Sequence, residues 1–87
     1  MPDLQEQTEK IRNVRRVHED ELMSKANVIG VGIGYRQRGG EPTDELALVV
    51  MVNQKVPKEL LAPEDFIPSS LEGVPVDIQE VGEIRAL

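Results

Sequence analysis

Few side chains in this sequence are of the kinds that do chemistry, and their spacing keeps them apart. His18 is the sole histidine, and there is no cysteine among the 87 residues. A thiolate metal site and a Cys nucleophile are therefore excluded, and one imidazole cannot complete a zinc site alone. As a general base His18 would need a nucleophile beside it. Ser24 lies six residues on, about 120° further round a helix and so on another face. Carboxylates cluster at Glu19-Asp20-Glu21, Asp44-Glu45, Glu64-Asp65 and Glu80 with Glu83. Paired acids act as general acid and base when their surroundings separate their pKa values, but none of these lies in a segment that reads as buried. Thr43, Asp44 and Glu45 form the one polar loop site worth retaining, because they end a loop beside an apolar strand.

The run Gly30-Val31-Gly32-Ile33-Gly34 invites comparison with a dinucleotide-binding turn, which needs a further glycine where Tyr35 stands. These glycines fall inside a strand and not at a strand-to-helix turn, so their amides are not set to cradle phosphate. Gly30, Gly32 and Gly34 are a candidate close-approach face, because a strand without side chains on one side admits a neighbouring element or ligand. The expected neighbour is the long helix described next. Arg36 and Arg38 leave the same strand and suit protection of a strand edge. No catalytic residue, metal ligand or cofactor-binding residue is assigned, and no cofactor is expected.

The elements that would hold these residues can be read from periodicity. Residues 4–25 contain no Gly or Pro and are rich in Gln, Glu, Lys, Arg and Leu, which favour helix; Asp3 suits a cap. Leu4, Ile11, Val14, His18 and Leu22 form one stripe, with Val17 at its flank. Such a helix spans about 33 Å at 1.5 Å per residue, against about 23 Å for a seven-residue strand. It should overhang the sheet and offer part of its stripe to a partner.

Asn27 ends the helix, and strict alternation from Val28 sends Ile29, Val31, Ile33 and Tyr35 to one face of a strand. Residues 37–45, with Gly39-Gly40 and Pro42, read as a loop projecting into solvent. Residues 46–52 are apolar throughout, as a central strand buried on both faces should be. Pro57, Pro63 and Pro68 break the following segment into short turns, whose Leu60, Leu61, Phe66 and Ile67 are placed to cap the open side of the sheet. A last strand starts at Val74, with Val76 and Ile78 inward and Asp77 and Gln79 outward. The expected fold is one small α+β domain: a long helix (1–26) on a three-stranded mixed sheet. Its further parts are a β-hairpin (27–54), a Pro-rich short-helix crossover (55–73) and a last strand with tail (74–87).

Composition narrows the partners. The net charge is −6, from 16 acidic against 10 basic residues, which opposes a phosphate backbone. Tyr35 and Phe66 are the only aromatics, too few for a single-strand stacking platform. No nucleic-acid partner is expected. No membrane is expected either, because no apolar run approaches the ~20 residues of a span. The start MPDLQEQTEK lacks the basic and apolar regions of a signal peptide, and the expected location is cytoplasmic.

Several short runs together carry a family likeness. They are Asn27-Val28, Gly30-Val31-Gly32, Gly39-Gly40, Thr43-Asp44-Glu45, Pro63-Glu64-Asp65 with Ile67-Pro68, and Gly73-Val74-Pro75-Val76-Asp77. As an ordered set over residues 18–82 they resemble a segment found ahead of the protease domain in bacterial trypsin-like peptidase proteins. The resemblance implies a non-catalytic, propeptide-like accessory domain and carries over no triad residue, since there is no Gly-Asp-Ser-Gly. It implies a trypsin-like domain as partner, met by the candidate interface Leu4, Ile11, Val14, His18, Leu22, Ile84 and Leu87. Two alternatives stand beside it: a self-associating module forming a homodimer through the helix stripe, and a small-ligand domain using the glycine face.

Overall fold

The computed structural model describes residues 3–81. Helix α1 covers Leu4–Met23. It starts where the Asp3 carboxylate accepts the Glu6 N–H at 2.8 Å, which satisfies one of the first-turn donors that a helix leaves open. Beyond its end, Asn27 takes a left-handed conformation, φ 70°, a backbone that Asn tolerates better than most residues. The turn is pinned from across the chain: the Ala26 N–H donates to Asp65 Oδ1 at 2.9 Å and Lys25 Nζ to the Glu64 carbonyl at 2.7 Å.

Four strands follow: β1 Val28–Arg38, β2 Glu41–Val52, β3 Ser70–Leu71 and β4 Val74–Glu80. They form one mixed sheet in the order β1-β2-β4-β3, with β1 antiparallel and β4 parallel to β2. The α+β class with one N-terminal helix is as expected; the strand count is four and not three. Leu71 and Val74 close a hairpin through Glu72 and Gly73, both at positive φ (49° and 81°), the backbone of a two-residue primed turn. Its first strand is only two residues long, too short to leave an alternation in the sequence.

The projecting loop expected over residues 37–45 is also corrected. Gly39 and Gly40, at φ 60° and 84°, make the whole turn, and Arg38 already pairs with Glu41. The surplus residues sit in a bulge: Tyr35 pairs with Leu46 but Gln37 with Pro42, so β2 advances by four where β1 advances by two.

The register sorts the core. Val31 faces Val50 and Ile33 faces Leu48, while Leu48 and Val50 also adjoin Val76 and Ile78. Paired residues share a face, and α1 covers this one with Ile11, Val14 and Leu22. Leu22, Leu48, Val50 and Val74 are fully buried, each contributing about 1.5–3 kcal/mol by leaving water. The glycines face the other way. Their pairings with Met51, Val49 and Ala47 put them on the side away from α1, so the helix is not the element that approaches them. Two single-turn 3₁₀ helices, Lys58–Leu60 and Pro63–Asp65, carry the crossover. Leu60 and Phe66 stay exposed; Ile67 and Leu71 are the residues that reach the core.

Candidate functional site

The helix stripe is largely consumed by the fold. Ile11, Val14 and Leu22 are buried beneath the chain's own sheet, leaving Leu4 exposed at the helix start. His18 is half-buried, with Nε2 2.9 Å from Glu72 Oε2, and so ties α1 to the strained turn before β4. Glu21 lies 3.8 Å from its Nδ1. Both of these partners are carboxylates, and neither is a hydroxyl that His18 could activate as a nucleophile. Ile84 and Leu87 lie outside the described residues.

Thr43, Asp44 and Glu45 are the bulge itself. Thr43 Oγ1 donates to the Arg36 carbonyl at 2.7 Å and accepts the Glu45 N–H at 3.2 Å. The hydroxyl thus replaces ladder partners that the bulge removes. Glu45 meets Arg36 Nη1 at 3.4 Å, an exposed pair of the kind that contributes little. Asp44 lines an open cleft with Gln7, Lys10 and Gly73. No group of three or more His, Cys, Asp or Glu able to hold a metal occurs among the described residues. The cleft has charge of both signs and no reactive pairing.

The glycine face is concave. In a flat sheet β1 and β4, separated by β2, would stand about 9.6 Å apart. Yet the Gln37 N–H donates to Asp77 Oδ2 at 2.9 Å, and Gln79 Nε2 donates to the Tyr35 carbonyl at 3.3 Å. A carboxylate reaches only a few ångströms from its own backbone, so the end of β1 must curl over β2 toward β4. Gly32 and Gly34 line the resulting groove with Tyr35, Val49, Met51 and Gln79. Asp77 and Gln79, read from the sequence as simply outward, are the residues that fasten this curl. The available signal was their place opposite the glycines across an apolar strand.

Residues 30–35 form the regular part of β1, between register shifts at Val28/Gly30 and Tyr35/Gln37. β1 pairs with β2 alone among the described strands, whereas β4 has β2 on one side and β3 on the other. Along the free edge Ile29 and Tyr35 keep 41% and 46% of their surface in solvent, and Arg38 is exposed at the tip. No helix among the described residues is long and apolar enough to cross a membrane.

The comparison with curated proteins finds no match. A family model does match, over residues 8–81, and its description is NARROW LEAF 1 N-terminal domain. That overturns the resemblance to the segment ahead of bacterial trypsin-like protease domains, and with it the ground for a trypsin-like partner. The structure supplies the physical reason. The runs that carried the likeness include the Gly39-Gly40 turn, the left-handed Asn27, Gly73 of the β3–β4 turn and the Thr43 bulge; they record how this backbone turns and not what it accompanies. With the match spanning nearly the whole described domain, the chain belongs to the NARROW LEAF 1 N-terminal domain family.

Proposed function

We propose that this is a non-enzymatic accessory domain that binds an extended protein segment along the free edge of β1. The observation that carries the proposal is the asymmetry of the sheet. One side ends in the short β3, while the other presents the eleven residues of β1, which has no second neighbour among the described strands. Proteins ordinarily blunt such edges with brevity, proline, bulges or charge. Here the bulges sit at the two ends, and Arg36 and Arg38 stand only at the tip. Between them lie glycines and apolar residues, which suit strand addition, where the backbone ladder gives affinity and alternate side chains give selectivity.

The family's description as an N-terminal domain supports an accessory role within a longer protein. The partner is protein, another chain or a copy of this one, and neither nucleic acid nor membrane; the net charge of −6 supports the former exclusion. A cytoplasmic location belongs to the same proposal and rests on the cysteine-free sequence.

A library of extended peptides panned against the domain tests the proposal, with the Ile29→Lys, Tyr35→Lys double variant as control. Both positions are exposed, so the fold survives the exchange. Enriched peptides should bind the wild type and lose the variant. Failure of any peptide to enrich, or equal binding to both, would overturn the proposal.

A further inference from the structure

We infer that the segment β1 receives is β1 of a second copy, paired antiparallel about a two-fold axis at Gly32. The inference rests on the edge-binding proposal above and names its occupant. Residues paired across strands share a face, so a strand meeting its own copy about an axis normal to the sheet can centre on any residue of its regular stretch. Three neighbouring centres differ in what they join. Centred on Val31, Tyr35 falls opposite Asn27. Centred on Ile33, Ile29 falls opposite Gln37. Centred on Gly32, Val31 falls opposite Ile33 within the regular stretch, and Tyr35 at its end falls twice over opposite Ile29, the residue at the Val28/Gly30 shift. Of the three registers, only the last joins the two exposed apolar side chains of the edge to each other, as aromatic and β-branched partners that stabilise cross-strand pairs.

Lys10 reaches toward Gly73 on the β3–β4 side; Arg15 and Glu19 lie roughly 140° and 180° round the helix from it and so flank the β1 side. Arg15 and Glu19 already pair with each other at 3.3 Å within the helix, so two helices meeting antiparallel there set one neutral pair beside another, with no net charge to oppose the approach.

The chain contains no cysteine, which makes the test direct. A Cβ at Gly32 finds only Met51 Cε, at 3.9 Å, so Gly32→Cys fits the fold. At the axis the two thiols face each other across one strand spacing, near the span a disulfide bridges. Gln37→Cys places its thiols ten residues apart along the paired strands, about 34 Å. The full chain of each variant is oxidised under matched conditions, while sedimentation equilibrium follows the wild type and the Ile29→Lys, Tyr35→Lys variant. Gly32→Cys should cross-link at least about an order of magnitude faster than Gln37→Cys, and the wild type should be a dimer that the lysine variant splits. A wild type monomeric at several hundred micromolar, or equal cross-linking of the two cysteine variants, overturns the inference. If peptides still bind the β1 edge in that case, the self-pairing fails while the edge-binding function stands; if none binds, both fail.

Discussion

Gly32→Ala should make the domain more stable, although it fills a strand position that now carries no side chain. The added methyl would meet only Met51 Cε, at 3.9 Å, and the backbone there is not left-handed. Alanine therefore gains whatever glycine loses in conformational freedom on folding, about 0.5–1 kcal/mol. For a domain of 87 residues that corresponds to a rise of about 2–8 °C in thermal midpoint. The other glycines set the scale. At Gly34 the methyl lands 3.2 Å from Val49 Cγ2, inside a packed strand, and the gain should be largely cancelled. At Gly30 it lands 2.8 Å from Met51 Cε, but that atom ends a flexible side chain that can swing aside. At Gly73, φ +81°, alanine is held left-handed and should lose about 1–2 kcal/mol. Thermal unfolding followed by circular dichroism at one fixed concentration reads all four, since self-association would make the midpoint concentration-dependent. The expected order of midpoints is Gly32→Ala highest and Gly73→Ala lowest. A fall in midpoint for Gly32→Ala would refute the claim that the domain itself leaves this position open.

Three further perturbations probe the fold's fastenings. Thr43→Val removes a hydroxyl that serves both Arg36 and Glu45, and chemical denaturation should show a loss of about 1–2 kcal/mol. Asp77→Ala frees the Gln37 N–H and the Gln79 amide; NMR should show faster amide exchange at Gln37 while Leu48 and Val50 in the core are unchanged. Ile11→Asp places a carboxylate at a position 3% exposed and should unfold the domain, losing helical circular dichroism at 25 °C, instead of splitting an assembly of folded chains.

Periodicity made the helix, the central strand and the direction of Val74, Val76 and Ile78 legible, because each buries one repeating set of side chains. It could not show which face of β1 the helix takes. The stripe of Ile11, Val14 and Leu22 fits either side of a strand, and the choice follows from Val31 and Ile33 being apolar while the opposite side has no side chains to bury. The curl was hidden for a different reason. It depends on Asp77 and Gln79 reaching residues some forty positions earlier, and polar residues on a last strand read as solvated until the sheet bends. Turn chemistry was half visible: Gly39-Gly40 marked the reversal, but the Thr43 bulge looks in sequence like extra loop. The candidate interface shifted for the same reason as the core. The apolar residues easiest to see on the helix are the ones the fold keeps, and the edge left open is defined by which strand goes unpaired.

Amide hydrogen exchange along β1, with and without a bound peptide from the panned library, tests the edge as the working surface most directly. On an edge strand alternate N–H groups point to the neighbouring strand and to solvent. In the free domain at low concentration, β1 should show a period of two, with the outward set exchanging fast. Added peptide should slow that outward set and leave β2 and β4 as they were. Protection appearing elsewhere, with the outward amides of β1 unchanged at saturation, would contradict the account.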